Sequence, residues 1–207
     1  GNEGAPSNQP IVIFDVHAPA ITIAGVSNGQ YTSANLTPAV TITDFSPRVA
    51  TVTLNGQPFV SGTSLTQPGT YFLDVSGQDA FGSSSTATVS FTIDKTLPTI
   101  TLLSPANGLI TNQDVVVDFS AADDLTPTAQ LVVTDEFDAT VSSSYQISTE
   151  GAHNLTLTAL DRAGNRTSAS AAFILDKTPP TPISDLRVAA TRLGQGQADL
   201  SCAVPPD

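Results

Sequence analysis

The chain has 207 residues, of which 40% are hydrophobic and only 13% charged, so a globular protein with a largely uncharged polar surface is expected. Its net charge of −12, with seven Lys and Arg, offers no basic surface for nucleic acid and disfavours contact with an anionic membrane. A single cysteine, Cys202, excludes an intrachain disulfide, and no apolar run has the length of a membrane span.

The chain repeats itself at a spacing of about 80 residues. Asp15 opens the pentapeptide "DVHAP", and 79 residues later Asp94 opens "DKTLP". The next interval, from Asp94 to Asp176 of "DKTPP", is 82 residues, which indicates a three-residue insertion in the second copy. Such a period predicts a series of similar structural units. We predict a linker and the last strand of a preceding unit at 1–17, a first unit at 18–94, a second at 95–176, and the start of a third at 177–207.

All the predicted elements are β-strands. Residues 50–60 alternate apolar and polar side chains around Asn55-Gly56, a pair typical of a tight β-hairpin turn. The last strand of each unit has one apolar face, formed by Ala87, Val89, Phe91 and Ile93 in the first and by Ala169, Ala171, Phe173 and Leu175 in the second. Roughly six or seven short strands in each unit predict a small β-sandwich, so the expected fold class is all-β.

Several motifs occur in the same order along the chain: "PAITIAG", "VTLNG" and "GTYFLDVSGQDAFG" in the first unit, "ALDRAGN" and "FILDKTPP" in the second. Together they resemble the bacterial immunoglobulin-like domains that occur in tandem in surface and secreted proteins. The resemblance implies tandem immunoglobulin-like β-sandwiches arranged in a linear rod. From Pro179 the sequence instead resembles the first two strands of a fibronectin type III domain, with Cys202 where that family usually has a core tryptophan.

Prolines close the linkers between the units. Pro98, Pro179 and Pro180 fix their own φ and restrict the preceding residues to extended conformations. Such a linker is short and stiff compared with a Gly/Ser tether. We therefore expect consecutive units to stand nearly in line.

The direction of the strands predicts where the repeated aspartates lie. In each unit the first strand leaves the linker, and the strand that ends at Asp44 or Asp123 must return toward it. If the last strand leaves from the opposite end, the hairpin at Asp79 or Asp161 that precedes it also lies beside the linker. We therefore expect two clusters: Asp15, Asp44 and Asp79 at the first junction, and Asp94, Asp123 and Asp161 at the second.

Three converging carboxylates repel one another unless a cation neutralises them. Calcium binds six to eight oxygens at about 2.3–2.6 Å, supplied by carboxylates, Asn side chains and backbone carbonyls. The predicted Ca²⁺ site at the second junction consists of Asp94, Asp123, Asp124, Asp161 and Asn165, with Asp15, Asp44 and Asp79 as a second candidate set. The alternative, which the sequence leaves open, is that these aspartates cap turns by accepting backbone N–H bonds. No matched triad follows Asp176.

The sequence contains no catalytic motif: there is no G-x-S-x-G or S-x-x-K stretch and no phosphate-binding glycine loop. His17 and His153 belong to different motifs and have no cysteine partners, so zinc is not expected. His153 aligns with Tyr71, at a position typical of a hydrogen-bonded corner residue. The acidic stretch 135–138 is expected to be a solvated hairpin rather than a glycosidase pair. We therefore expect a protein that is not an enzyme.

Three functional hypotheses follow from these observations. The first is a stalk or spacer segment of a large bacterial cell-surface or secreted protein, outside the cell, whose partners are neighbouring immunoglobulin-like domains of the same chain. The second is an adhesive module whose loops bind a protein or a glycan, with Tyr31, Phe81 and Phe137 as candidate loop aromatics. The third is an accessory region of an extracellular enzyme. Neither a nucleic-acid partner nor direct membrane insertion is expected.

Overall fold

The computed structural model describes residues 15–135, 137–182, 186–189 and 199–202. The strands of the first unit are β1 (Ala20–Ala24), β2 (Gln30–Thr32), β3 (Ala39–Thr43), β4 (Pro47–Leu54), β5 (Gln57–Pro58), β6 (Gly69–Asp79) and β7 (Ser84–Ile93). Those of the second are β8 (Thr99–Ser104), β9 (Leu109–Thr111), β10 (Val115–Ala122), β11 (Val132–Thr134), β12 (Tyr145–Ile147), β13 (Gly151–Leu160) and β14 (Arg166–Leu175). One short 3-10 helix, Thr128–Gln130, precedes β11. Within these ranges no helix has the length and hydropathy needed to cross a membrane.

Each unit is a sandwich of two sheets around its own core. In the first unit β1 and β3 face the sheet β2-β7-β6-β4-β5, and in the second β12-β10-β8 faces β11-β13-β14-β9. Alternate residues of β6 and β14 are buried, as a strand with one face in a core requires. The core of the first unit consists of Leu36, Leu73, Val75, Phe91 and Ile93. That of the second consists of Val115, Val117, Val133, Leu155, Leu157, Ala159 and Phe173. The predicted all-β class and β-sandwich are confirmed.

Two Asn-Gly pairs of the first unit make different turns. Asn55 and Gly56 have φ of 51° and 76° and join β4 to β5 in the predicted hairpin. Asn28-Gly29 instead carries the chain from one sheet to the other, because the next strand, β2, pairs in parallel with β7. The crossing is held by Ser90, whose backbone N–H donates to Asn28 Oδ1 at 3.0 Å and whose carbonyl accepts the Gly29 N–H at 2.7 Å.

The insertion in the second unit lies between β11 and β12. Asp135 Oδ1 accepts the backbone N–H groups of Phe137 and Ala139, so this carboxylate caps a turn, and Phe137 is exposed. β12 then pairs with β10, at the place where the first unit has a single bridge between Leu36 and Leu65.

Beyond the second unit, β15 (Leu186–Ala189) and β16 (Asp199–Cys202) form an antiparallel pair. The rest of the predicted third unit, the side chain of Cys202, and the preceding strand predicted within residues 1–14 lie outside the described residues. The boundaries of the units stay a prediction.

Candidate metal centre

The lysine of each linker ties it to the unit that precedes it. Lys95 Nζ donates to Asn35 Oδ1 and to the carbonyl of Thr66, both at 2.7 Å and both in the first unit. Lys177, its counterpart after the second unit, makes an ion pair with Asp114. The linker at the second junction therefore leaves the first unit from a fixed point, which places Asp94 at the end of β7.

Three aspartates from three different strand ends meet at this point. Asp94 follows β7, Asp123 follows β10 and Asp161 follows β13. Each offers a carboxylate oxygen, and the three oxygens lie within 4.8 Å of one another. Two oxygens bound to one calcium ion are at most about 5 Å apart, so this spacing suits a shared ion. Asp15, Asp44 and Asp79 converge within the same limit at the first junction.

One oxygen of each carboxylate in the second cluster caps a local turn. The shared pattern is Oδ1 accepting a backbone N–H two to four residues ahead, as aspartates in turns commonly do. The pairs are Asp94 with Thr96 at 3.2 Å, Asp123 with Thr126 at 2.7 Å, and Asp161 with Asn165 at 2.8 Å. Turn capping is therefore present, but it occupies only one side of each carboxylate and is compatible with an ion on the other.

In each cluster one of the second oxygens has no hydrogen-bond partner. Asp123 Oδ2 is buried with no hydrogen-bond partner, and so is Asp79 Oδ2 in the first cluster, where Asp79 is only 1% exposed. Leaving a buried acceptor unpaired costs about 1–3 kcal/mol, and more when it is charged. The ion pairs found within the described residues are His17 with Asp15 and Lys177 with Asp114, so no basic side chain there neutralises the second cluster.

Asp94 shows the electrostatic consequence most directly, because it is fully buried at 0% exposure. Burial raises the pKa of Asp94, and the carboxylates of Asp123 and Asp161 raise it further, while hydrogen bonds from Thr96 act in the opposite direction. Both causes of the rise penalise the ionised form. A bound cation would favour the ionised form and lower this pKa.

The other two predicted ligands occupy different places. The Asn165 amide Nδ2 donates to Asp161 Oδ2 at 2.7 Å and to the backbone carbonyl of Asp94 at 2.9 Å, so it joins the second unit to the end of the first. Asp124 lies outside the three-carboxylate group, and its Oδ1 accepts a hydrogen bond from the Thr96 hydroxyl. Asn165 thus positions the cluster, whereas Asp124 contacts it through Thr96.

Hydroxyl side chains beside the clusters are missing from the sequence prediction. Thr126, buried at 1% exposure, donates to Asp94 Oδ2 at 3.4 Å. Ser46 donates to Asp15 Oδ2 at 2.9 Å and contacts Asp44 Oδ1 at 3.3 Å. Each hydroxyl residue follows a cluster aspartate by two or three positions, and this spacing is the sequence signal that indicates them.

No known family model and no curated protein matches the chain. Among solved structures it is similar to the fibronectin(III)-like modules of Clostridium thermocellum CbhA, at 15% identity and TM-score 0.41, over 75% of this chain and 94% of that one. It is also similar to Bacteroides ovatus SGBP-B in complex with a mixed-linkage heptasaccharide, at 15% identity and TM-score 0.31, over 76% and 47% of the two chains. A chimeric titin Z1Z2-Z1Z2 tandem matches at 12% identity and TM-score 0.29, over 76% and 100%. At these identities the likeness concerns the β-sandwich fold alone.

Proposed function

We propose that this chain is a structural stalk or spacer segment of a large bacterial cell-surface or secreted protein, that it projects other domains, and that calcium stiffens its junctions. The observation that carries the proposal is the cluster at the second junction, in which Asp94 ends the first unit while Asp123 and Asp161 belong to the second. One ion bound by all three carboxylates ties the end of one sandwich to the beginning of the next.

The donor set favours calcium among the common metals. Every candidate ligand in the cluster is a hard oxygen donor, and no histidine or cysteine, the ligands that zinc and copper usually favour, belongs to it. Calcium also tolerates irregular coordination by turns, whereas magnesium demands near-octahedral geometry. The chain's remaining acidic surface, with its net charge of −12, further favours cation binding.

The mechanism is mechanical rather than catalytic. In the calcium-free protein, repulsion among the three carboxylates opposes close approach of the second unit to the end of β7. When an ion binds, that repulsion becomes attraction, which adds a further restraint to the linker at 94–98. This linker is already restricted by the ring of Pro98, by the bond from Asn165 to the Asp94 carbonyl, and by the bonds that Lys95 makes to the first unit. The ion would complete a rigid connection.

Isothermal titration calorimetry and thermal unfolding, each in calcium and in chelator, test the proposal. We expect a binding heat, and a stabilisation of about 2.7 kcal/mol when free calcium is 100 times Kd. Magnesium at the same concentration is the control. The absence of both heat and thermal shift would rule out the calcium junction.

Exposed aromatic side chains on loops favour a second candidate function, an adhesive module that binds a protein or glycan. Phe45, Phe81 and Phe137 are all exposed, and large exposed rings are common anchors of binding surfaces. Glycan arrays and pull-down experiments with the wild-type chain, and with a variant in which Phe45 and Phe81 are changed to Ala, test this function. Uniform lack of binding by the wild type would exclude it.

A further inference from the structure

Arg162 reaches across the second junction and stacks on the first unit. Its guanidinium carbon lies 3.9 Å from the centroid of the Tyr31 ring, and its Nη2 is 3.5 Å from the Gly29 carbonyl oxygen. Tyr31 lies on β2, which pairs with the last residues of β7, so both partners belong to the end of the first unit that faces the second. A cation over an aromatic face is attracted by the ring's quadrupole.

The guanidinium is also held by its own unit. Nη1 donates to Gln130 Oε1 at 2.8 Å, and Gln130 is the last residue of the 3-10 helix Thr128–Gln130. The Arg162 backbone N–H donates to Thr126 Oγ1 at 3.3 Å. Arginine can bond in the plane of its guanidinium while the face of that plane stacks, so the Gln130 bond orients the group for Tyr31.

Arg162 follows Asp161 directly, yet its charge is directed to the first unit. The ion pairs within the described residues do not include Arg162, although three carboxylates lie at the same junction. The contact with Tyr31 and the carboxylate cluster are therefore two separate connections that arise from one hairpin. They meet at Thr126 Oγ1, which accepts the Arg162 backbone N–H and donates to Asp94 Oδ2, whereas the guanidinium itself contacts Tyr31, Gly29 and Gln130.

The repeated positions elsewhere in the chain lack this pairing. Ala80 takes the place of Arg162 in the first unit, and Ile110 takes the place of Tyr31 in the second. The strand neighbour of Tyr31, Thr92, is 2% exposed, whereas the neighbour of Ile110, Ile174, is 42% exposed. The sheet beside Tyr31 is therefore buried where the guanidinium stacks, whereas the equivalent part of the sheet beside Ile110 is exposed.

We propose that Arg162 and Tyr31 form a metal-independent latch that fixes the rotation of the second unit about the first. The purpose of the latch rests on the proposed stalk function, but its operation requires no ion. The covalent linker and the Asn165 bond to the Asp94 carbonyl hold the units together at one point with or without an ion, and the latch restrains them at a second point. Two points of attachment prevent a rotation that one point permits.

Residual dipolar couplings measured on the whole chain in chelator test the latch. For the wild type we expect both units to share one alignment tensor. Arg162→Ala should give the two units different alignment tensors. The equilibrium constant between latched and unlatched states should fall about two- to fivefold, as expected for an exposed cation–π pair. Tyr31→Ala should act like Arg162→Ala, Tyr31→Phe should behave as wild type, and the double variant should be no worse than either single one. Arg166→Ala, on β14 of the same unit, is the charge-matched control.

Three results would overturn the latch: independent tensors in the wild type, unchanged tensors in Arg162→Ala, or equal changes in Arg162→Ala and Arg166→Ala. Amide spectra of each unit show whether a variant stays folded. If Arg162→Ala unfolds, the comparison of Tyr31→Phe with Tyr31→Ala still tests the latch. The calorimetric experiment is independent of this one. If calcium does not bind but the couplings show an intact latch, only the proposed calcium site is wrong. If calcium binds but Arg162→Ala leaves the tensors unchanged, only the proposed latch is wrong.

Discussion

Asp94 shows how much a single side chain contributes at the junction. It ends the last strand of the first unit, caps the turn at Thr96, and meets Asp123 and Asp161 while fully buried. Burial and like charge both disfavour its ionised form, whereas a bound cation favours it. If calcium binds as proposed, the same carboxylate would lower the stability of the calcium-free protein and raise that of the calcium-bound protein.

Replacing Asp94 by Asn removes the charge and keeps the size and the acceptor. We expect the calcium-free variant to unfold at a higher temperature than the wild type at pH 7, and calcium to lose most of its roughly 2.7 kcal/mol of stabilisation at 100 times Kd. Thermal melts in chelator and in calcium measure both effects. Asp74→Asn, at an exposed residue of β6 that binds Thr88, is the matched control and should keep the full calcium shift. A full shift in the Asp94 variant would show that this carboxylate is not a ligand.

The linkers are fastened to the units by side chains that follow or precede a strand. At the third junction Glu150, just before β13, accepts the backbone N–H groups of Lys177 and Thr178 at 3.2 and 3.0 Å. The bond from the Thr178 hydroxyl is the main cause that lowers the pKa of Glu150, and these backbone groups lower it further. The contact is strongest when Glu150 is ionised, because charged acceptors make the stronger hydrogen bonds.

This shift predicts a pH dependence of the third junction. Because the folded-state pKa of Glu150 lies below its usual 4.5, the stabilisation is present above that value and is lost as the pH falls through the folded-state pKa. An NMR titration of the Glu150 carboxyl, followed together with the amides of Lys177 and Thr178, measures it. Thr178→Val should move the pKa back toward 4.5. A wild-type pKa at or above 4.5 would contradict the contact.

The chain as a whole behaves as separate cores joined by junctions. No residue is shared between the two core clusters, so each sandwich has its own source of hydrophobic stability. In such an arrangement the total stability is approximately the sum of the unit stabilities and the interface between neighbours. The carboxylate cluster and the Arg162–Tyr31 contact belong to that interface.

Matched core substitutions test this independence. Leu73 on β6 and Leu155 on β13 occupy equivalent positions and are both buried. Changing either to Ala should cost the unit that contains it about 2–5 kcal/mol. Differential scanning calorimetry in chelator should show two transitions, with only one lowered by each substitution. If both transitions moved together in either variant, the two sandwiches would form one cooperative unit.

The sequence by itself determined the features that depend on local periodicity and chain direction. Alternation along β6 and β14 indicates the buried faces, and Asn55-Gly56 indicates its hairpin, because both depend on a few adjacent residues. The meeting of Asp94, Asp123 and Asp161 also follows from the sequence, because the direction of each strand decides at which end it stops.

Only the tertiary structure decided what depends on packing between distant segments. Asn28-Gly29 and Asn55-Gly56 are the same dipeptide. Because the strand after Asn28-Gly29 pairs with β7, that dipeptide carries the chain from one sheet to the other instead of forming a hairpin. The orphaned oxygen of Asp123 depends on how three turns bury one another, which no spacing shows. The contact between Arg162 and Tyr31 joins two units, so it exists only once both sandwiches have folded and one has docked on the other.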